Sequence, residues 1–153
     1  MSIQQRIKQR RYRNSTEESF VSILFAGTQI LQRIEEACEA HGITHTQYNV
    51  LRILRGVHPE GHPRCEIAGR LIGKAPDVTR LLDRLEQHKL IARNWSKENR
   101  RHSIATITAK GLELLRKMDP VIEALEKDTT GRLTAAEQTA LVRICDRMVG
   151  TEK

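Results

Sequence analysis

Residues Arg64–Thr108, RCEIAGRLIGKAPDVTRLLDRLEQHKLIARNWSKENRRHSIATIT, decide the fold of this chain. Apolar residues recur there at three- and four-residue spacing in two segments, which predicts two helices. The first helix is expected from about Arg64 to Ile72, with an apolar face made of Ile67, Ala68, Leu71 and Ile72. Gly73 then permits a tight turn, Pro76 suits the first turn of the second helix, and Asp77 suits the positive end of the dipole of that helix. The buried face of the second helix is expected to consist of Val78, Leu81, Leu82 and Leu85.

A two-stranded ribbon is predicted directly after the second helix. Residues Leu90–Trp95 and His102–Thr108 are rich in β-branched side chains and partly alternate, whereas the six residues between them are polar. Two helices joined by a turn and followed by such a ribbon make a winged helix-turn-helix. The second helix has the right size for the DNA major groove, and a basic loop beside it can reach a minor groove.

Long amphipathic helices are predicted on both sides of this region. Ser15 and Glu18 form a capping-box pattern before a helix that is expected to continue to about His41, where Gly42 can end it in a left-handed conformation. Thr44 and Gln47 form a second capping box, and Thr134 and Glu137 a third. The helix after Thr44 is expected to bury Tyr48, Leu51, Leu54 and Val57. Another long helix is expected from Ala109, and Pro120 should kink it or break it in two. These helices carry more apolar surface than a small winged lobe can cover. We therefore expect them to pack on each other and on a second copy of the chain.

Together these elements predict a mainly α fold with a small β-wing. The length of 153 residues suits one domain, and no repeat or low-complexity linker divides it. We therefore expect a single domain over residues 1–153. The helices within 15–42 and 109–150 are expected to form a dimerisation lobe, and residues 44–108 a winged helix-turn-helix lobe.

The charge and composition narrow the range of partners. The formal net charge of +7 suggests a polyanionic partner, although charge alone does not identify one. Aromatic residues make up only 3% of the chain, which argues against single-stranded nucleic acid as the ligand because that binding depends on stacking. No apolar run approaches the ~18 residues of a membrane helix, and no signal-peptide core is present. A cytoplasmic protein with no membrane partner is expected.

Three motifs carry a resemblance to a known family. The run Ala75–Glu86, the segment Leu90–Arg93 and the exit from the wing at Ile107–Gly111 resemble the MarR family of bacterial transcription regulators. The resemblance extends over nearly the whole chain. It implies a homodimer that binds pseudo-palindromic operators in double-stranded DNA. It also implies that small molecules often bind between the winged lobe and the dimerisation helices and lower the DNA affinity.

Three positions depart from the pattern of that family. The wing commonly carries Asp-x-Arg, and here Asn99 stands in the Asp position before Arg101. Lys89 stands where glycine usually follows the second helix, so it must end that helix without glycine's freedom or adopt a strained cap. Lys74 occupies a position where a small hydroxyl residue is frequent.

Candidate DNA contacts fall into three groups. Phosphate contacts are expected from Arg64, Arg70, Lys74 and the backbone amides near Pro76. Base edges are expected to be read by Thr79, Arg80 and Arg84. The wing is expected to contribute Lys97, Asn99, Arg100 and Arg101. Asp77 can accept a hydrogen bond from cytosine or only balance the dipole of the helix, and both interpretations stay open.

Candidate effector-binding residues lie where the first two long helices meet the winged lobe. They are Ile23, Gly27, His41, His45 and Tyr48. His45 and Tyr48 suit a small phenolic or carboxylate effector. All five residues also fit ordinary core and cap positions, so this alternative stays open.

The cysteines and histidines give only a weak signal for a metal or redox site. Cys38 and Cys145 lie on apolar helix faces, where a free thiol is usually a small hydrophobic group. Cys65 has metal-ligating chemistry together with His58 and His62, but their spacing in a Pro/Gly loop is weak evidence. We expect no metal and no cofactor, and leave open whether this group senses metal or redox state.

The sequence therefore predicts a dimeric, sequence-specific transcription regulator. Repression is expected through occlusion of a promoter, with release by a small-molecule effector. The alternative is a winged-helix module for non-specific DNA architecture or protein docking. An enzyme is not expected, because the chain lacks a Gly-rich phosphate loop, a nucleophile elbow and an HExxH motif.

Overall fold

The computed structural model describes residues 2–73, 77–95 and 103–150, and most of them are helical. Over these ranges the helices are α1 (Ile3–Arg6), α2 (Ser15–Glu39), α3 (His45–Arg55), α4 (Arg64–Arg70), α5 (Val78–Gln87), α6 (Ala109–Asp128) and α7 (Ala135–Val149), with a short 3-10 helix at Thr130–Arg132. The strands are β1 (His62–Pro63), β2 (Ile91–Trp95) and β3 (Ser103–Ile107). The predicted mainly α fold with a small β-wing is confirmed.

The wing sheet has three strands rather than the two that the sequence predicts. Strand β3 lies in the centre, with β1 and β2 antiparallel to it on either side. Ala105 is opposite His62 of β1 and Arg93 of β2. Strand β1 escapes sequence analysis because it is only two residues long and contains Pro63, which is tolerated at a sheet edge.

The helix-turn-helix has the predicted order but different ends. Helix α4 stops at Arg70, two residues before the predicted end, and Ile72 is 73% exposed rather than buried. Ala68 is exposed as well, so Ile67 is the buried residue of this helix. Gly73 adopts a positive φ of 87°, as the turn requires.

Helix α5 begins at Val78, and Asp77 directly precedes it, at the positive end of the helix dipole as predicted. The Asp77 side chain accepts a hydrogen bond from the backbone amide of Arg80 at 3.0 Å, which makes it the N-cap. Leu82 and Leu85 are buried as predicted.

The described part of the chain divides into two compact units. Unit 1 comprises Met1–Glu36 with Lys127–Lys153, and unit 2 comprises Ala37–Glu126. The core of unit 2 is built from residues of α3, α4, α5, α6 and the wing, including Leu51, Leu54, Ile67, Leu82, Leu85, Ile91, Leu115 and Met118. By contrast, none of the described residues of unit 1 is buried. In the described ranges, no helix combines the length and apolarity that crossing a bilayer requires.

Helix ends follow local hydrogen-bonding rules, with one correction. Asn14 caps α2 instead of Ser15, because its side-chain oxygen accepts the amide of Glu17 at 2.9 Å. Helix α2 ends at Glu39, and Gly42 has the expected positive φ of 73°. The capping boxes at Thr44–Gln47 and Thr134–Glu137 both form.

Pro120 does not break α6, which is assigned as one helix over 20 residues. A proline leaves the carbonyl four residues earlier without its helical donor. That carbonyl belongs to Arg116, and both Arg116 and Pro120 are exposed. Water can therefore satisfy the carbonyl, which lets the helix continue.

A dense joint connects the end of α5, the start of the wing and the start of α6. The Thr108 hydroxyl donates to the Lys89 carbonyl at 2.7 Å, and the Lys110 ammonium donates to the His88 carbonyl at 2.9 Å. The Thr108 amide donates to the Leu90 carbonyl at 3.1 Å. A Cβ on Gly111 would lie 2.3 Å from that same Leu90 oxygen, so only glycine permits this approach.

Lys89 ends α5 in the left-handed conformation that its position predicts. Its φ is 60°, and the amides of Lys89 and Leu90 donate to the carbonyls of Glu86 and Leu85 at 2.8 and 2.9 Å. This pair of hydrogen bonds is the Schellman pattern, in which glycine is the favoured residue. The backbone of Lys89 is therefore strained.

Replacing Lys89 with glycine is expected to stabilise the protein by about 0.5–1 kcal/mol, because relief of the left-handed strain outweighs glycine's greater freedom in the unfolded chain. Urea unfolding followed by circular dichroism measures the change. Gln87→Gly is the control, because Gln87 lies within α5. That variant should lose about 1 kcal/mol of stability. A Lys89→Gly protein no more stable than the wild type would contradict the strained cap.

Candidate nucleic-acid interface

The exposed side of α5 presents the three residues predicted to read bases. Thr79, Arg80 and Arg84 are all exposed, and the Arg80 side chain is 81% exposed. Leu82 and Leu85 anchor the opposite side of the helix in the core of unit 2. A helix held by its apolar face and open on its polar face can enter a major groove.

Contacts between side chains organise this surface. Arg64, the first residue of α4, donates from Nη1 to the Thr79 hydroxyl at 3.1 Å. Arg70 lies at the other end of α4 and pairs with Glu66 at 3.5 Å. Arg64 therefore lies beside the start of α5, whereas the Arg70 contact stays within α4.

Arg80 has a partner that the sequence did not identify. Its Nε lies 3.1 Å from Oδ2 of Asp77, while Oδ1 of Asp77 accepts the Arg80 amide. Asp77 thus caps α5 and holds the Arg80 guanidinium at the same time. Because Arg80 is so exposed, this ion pair is weak and can exchange for a base or a phosphate.

Half of the predicted DNA contacts lie outside the described residues. These are Lys74 and Pro76, which precede α5 in the sequence, and Lys97, Asn99, Arg100 and Arg101, which lie between β2 and β3 in the sequence.

Arg93 and its two acidic partners form a cluster that sequence analysis missed. The Arg93 Nη2 donates to Asp83 Oδ1 at 2.6 Å, and its Nε donates to Glu86 Oε2 at 2.8 Å. The hydrogen bonds that Arg93 donates to Glu86 and to Asp83 raise the pKa of its guanidinium above the usual range. The sequence held one signal of this: two acids three residues apart in α5, followed by an arginine in the next strand.

The predicted effector residues are divided between the two compact units. Ile23 and Gly27 belong to unit 1, and His41, His45 and Tyr48 to unit 2. Tyr48 is 4% exposed, and burial raises the pKa of its hydroxyl above the usual value. Tyr48 is therefore a core residue of unit 2.

His41 does line a cleft of about 220 Å³ within unit 2, to which neither His45 nor Tyr48 contributes. The cleft is bounded by His41, Gly42, Ile43, His88, Leu90, Lys110, Glu113, Leu114 and Lys117. Ile43, Leu90 and Leu114 give the cleft apolar side chains, and the two lysines outnumber its one carboxylate, that of Glu113. These features suit a small molecule with an apolar body and a negative charge.

The three cysteines have different environments. Cys38 is buried and Cys65 is exposed, whereas Cys145 is only half-buried despite its apolar helix face. Within residues 2–73, 77–95 and 103–150, no three His, Cys, Asp or Glu side chains are grouped as metal ligands.

Comparisons with known proteins agree on one family. The model of the MarR family matches residues 43–103. The chain is 29% identical over 137 residues to the HTH-type transcriptional regulator MhqR of Bacillus subtilis (strain 168), with 88% of this chain and 90% of MhqR covered. The crystal structure of a MarR transcription factor from Planctomyces limnophilus is 34% identical with a TM-score of 0.70, and covers 89% of this chain and 98% of its own.

A third protein shares the fold at lower identity. It is BpsR of Bordetella bronchiseptica, whose DNA binding is regulated by 6-hydroxynicotinic acid. The two chains are 23% identical with a TM-score of 0.75, and 87% of this chain and 99% of the BpsR chain are covered.

Proposed function

Because this chain belongs to the MarR family, and is therefore a DNA-binding transcription regulator rather than an enzyme, we propose that it is a homodimeric repressor released by a small molecule. The observation that supports this most directly is the exposed face of α5, where Thr79, Arg80 and Arg84 stand above a buried apolar anchor. The proposed site of action is operator DNA in the cytoplasm.

The apolar surface of unit 1 supports the homodimer. Unit 1 buries none of its described residues, yet its helices carry large exposed apolar side chains. These are Phe20, Leu24 and Leu31 of α2 and Leu141, Val142, Ile144, Met148 and Val149 of α7. We propose that a second copy of the same chain buries this surface, because self-association would relate the two α5 helices by a two-fold axis.

A two-fold dimer would require a two-fold operator. The half-sites of such an operator lie about one DNA turn, or ~34 Å, apart. Arg80 and Arg84 would read guanine edges, while Arg64, Arg70 and Lys74 would contact phosphates. The wing residues Lys97, Asn99, Arg100 and Arg101 would reach the adjacent minor groove. A dimer bound across a promoter would then exclude polymerase.

The cleft that includes His41 supports release by an effector. It lies against His88 and Leu90, the residues directly after α5, so an occupant would contact the end of the recognition helix. Lys117 lies 3.7 Å from the carboxylate of Glu113, so the second lysine, Lys110, leaves the cleft with a positive balance that favours an anion. The apolar side chains of the lining favour a ring. We propose a small aromatic carboxylate or phenol, which acts only if it binds one conformation of the protein better than the other.

Selection of binding sites from random duplex DNA at near-physiological salt tests the DNA-binding part of this proposal. An enriched, two-fold-symmetric motif is the expected result. Binding without any enriched motif, lost as salt rises, would favour the non-specific architectural or docking function instead. Titration of the selected complex with benzoate and phenol derivatives then tests release.

Arg80→Ala is expected to cost about 1–3 kcal/mol of operator binding and to relax the preference at one base position per half-site. Fluorescence anisotropy against the selected operator and its single-base variants measures both effects. The control is Arg116→Ala, which removes an exposed arginine from α6 of the same unit. Equal weakening on every sequence would make Arg80 a phosphate contact rather than a base reader.

A further inference from the structure

Arg93 of strand β2 forms ion pairs with two acidic residues of α5. Its side chain is only 10% exposed. Nη2 donates to both Asp83 Oδ1 and Glu86 Oε2, at 2.6 and 2.5 Å, and Nε donates to Glu86 Oε2 at 2.8 Å. The Arg93 amide also donates to Glu86 Oε1 at 3.1 Å. Arg93, Asp83 and Glu86, named here the Arg93 cluster, therefore join the wing to α5.

The position of Asp83 on α5 gives this cluster its functional meaning. Asp83 follows Thr79 by four residues and Arg80 by three, so the three side chains share one face of the helix. That face is the one proposed to read DNA. A bare carboxylate there would repel the DNA phosphates, and Glu86 adds a second negative charge one turn further along. The guanidinium of Arg93 pairs with both carboxylates from the wing side and offsets one of their two negative charges.

The shape of the guanidinium also matters. A planar fork with fixed donor directions sets the angle between two carboxylates, which an ammonium group cannot do. Because Arg93 lies opposite Ala105 in the ladder between β2 and β3, its backbone is fixed by the sheet. The cluster therefore ties the rotation of α5 about its own axis to the plane of the wing.

We infer that Arg93 is a positioning residue for DNA recognition, which screens Asp83 and Glu86 from DNA phosphates and sets the orientation of α5 relative to the wing. It does so without contact with DNA. This inference rests on the proposed sequence-specific binding, and it predicts two separable effects. Loss of the charge weakens binding to every sequence, and loss of the fork geometry lowers discrimination between sequences.

Arg93→Lys tests the geometry, since it keeps the charge but not the fork. Affinities for the selected operator and for a scrambled duplex are measured by anisotropy at the same salt concentration. The affinity for scrambled DNA is expected to stay within about twofold of the wild type, while the ratio of the two affinities falls about fivefold. Arg116→Lys is the matched control and should leave the ratio unchanged. If Arg93→Lys keeps the wild-type ratio of operator affinity to scrambled-DNA affinity, the positioning role is overturned.

Arg93→Gln tests the charge. Binding to scrambled DNA is expected to weaken roughly tenfold, because two carboxylates are left unpaired. The triple variant Asp83→Asn, Glu86→Gln, Arg93→Gln should recover this affinity to within about threefold but not the discrimination ratio. Unchanged binding to scrambled DNA in Arg93→Gln would overturn the screening role. If Arg93→Gln proves unfolded in a thermal melt, the double variant Asp83→Asn with Glu86→Gln, which keeps Arg93, takes its place. That double variant must bind scrambled DNA at least as tightly as the wild type.

The wild-type measurement separates failure of this inference from failure of the proposed function. A wild-type protein that binds operator and scrambled DNA equally would refute sequence-specific recognition itself. The charge effect on scrambled DNA would still decide the screening role. A discriminating wild type whose Arg93 variants discriminate equally well would refute the inference alone.

Discussion

Gly61→Ala is expected to destabilise the protein by about 3 kcal/mol or more, the largest loss of stability we expect from any single methyl group in this chain. A Cβ at this position would lie 2.0 Å from the Ala105 carbonyl oxygen and 2.8 Å from its carbon. Both contacts involve backbone atoms, which cannot rotate away. Ala105 is also paired on both sides, with His62 and Arg93, so a shift of its peptide would disturb the whole sheet.

Urea unfolding monitored by circular dichroism measures this loss. Gly69→Ala is the matched control, because Gly69 lies within α4 of the same unit and has nothing within 4 Å of its Cβ position. That substitution should stabilise the protein by about 0.5–1 kcal/mol through helix propensity. If the free energy of unfolding of Gly61→Ala lies within about 1 kcal/mol of the wild-type value, the close approach of Gly61 to β3 is wrong.

The second large effect concerns self-association. Val142→Glu combined with Met148→Glu is expected to convert a dimer into a monomer and to weaken operator binding by a hundredfold or more, since each half-site would then be bound alone. Val142 and Met148 are 62% and 56% exposed, so charges there do little to the isolated protomer. In a dimer the two glutamates of each protomer would be buried, which would leave four unpaired carboxylates at the interface.

Light scattering gives the mass of the assembly against the 17.5 kDa of one chain, and anisotropy gives the operator affinity. The control pair is Ala136→Glu with Thr139→Glu, two exposed positions on the polar side of α7. It adds the same charge and should leave the dimer intact. A double variant at Val142 and Met148 that keeps the mass of the wild type would show that α7 is not the dimer interface.

Local chemistry explains which parts of the fold could be predicted from the sequence. The caps at Thr44 and Thr134, the left-handed Gly42 and the strained Lys89 all depend on residues within five positions of each other. Where two residues offered similar caps, as Asn14 and Ser15 do, the pattern alone selected the wrong one. Amphipathic periodicity located the buried faces of α3 and α5, because the side of each helix that packs on the core of unit 2 must be apolar.

Contacts between distant segments explain the rest. The pairing of β1 with β3 joins residues more than 40 positions apart, and no composition signal marks so short a strand. The Arg93 cluster likewise depends on how β2 packs against α5. A charged residue on the polar side of an amphipathic helix is usually assigned to solvent, and the pattern of α5 gives Asp83 that assignment. For the interface, the sequence identified exposed basic residues but not the partners Asp77 and Glu66 that hold Arg80 and Arg70.

The joint at Thr108 has a mechanical consequence. Its hydrogen bonds fix the end of α5 to the first turn of α6, and α6 then continues unbroken for 20 residues. At 1.5 Å per residue this helix is a rod about 30 Å long. A rotation of ~5° about its first turn therefore moves its far end by roughly 2–3 Å, which makes α6 a lever arm.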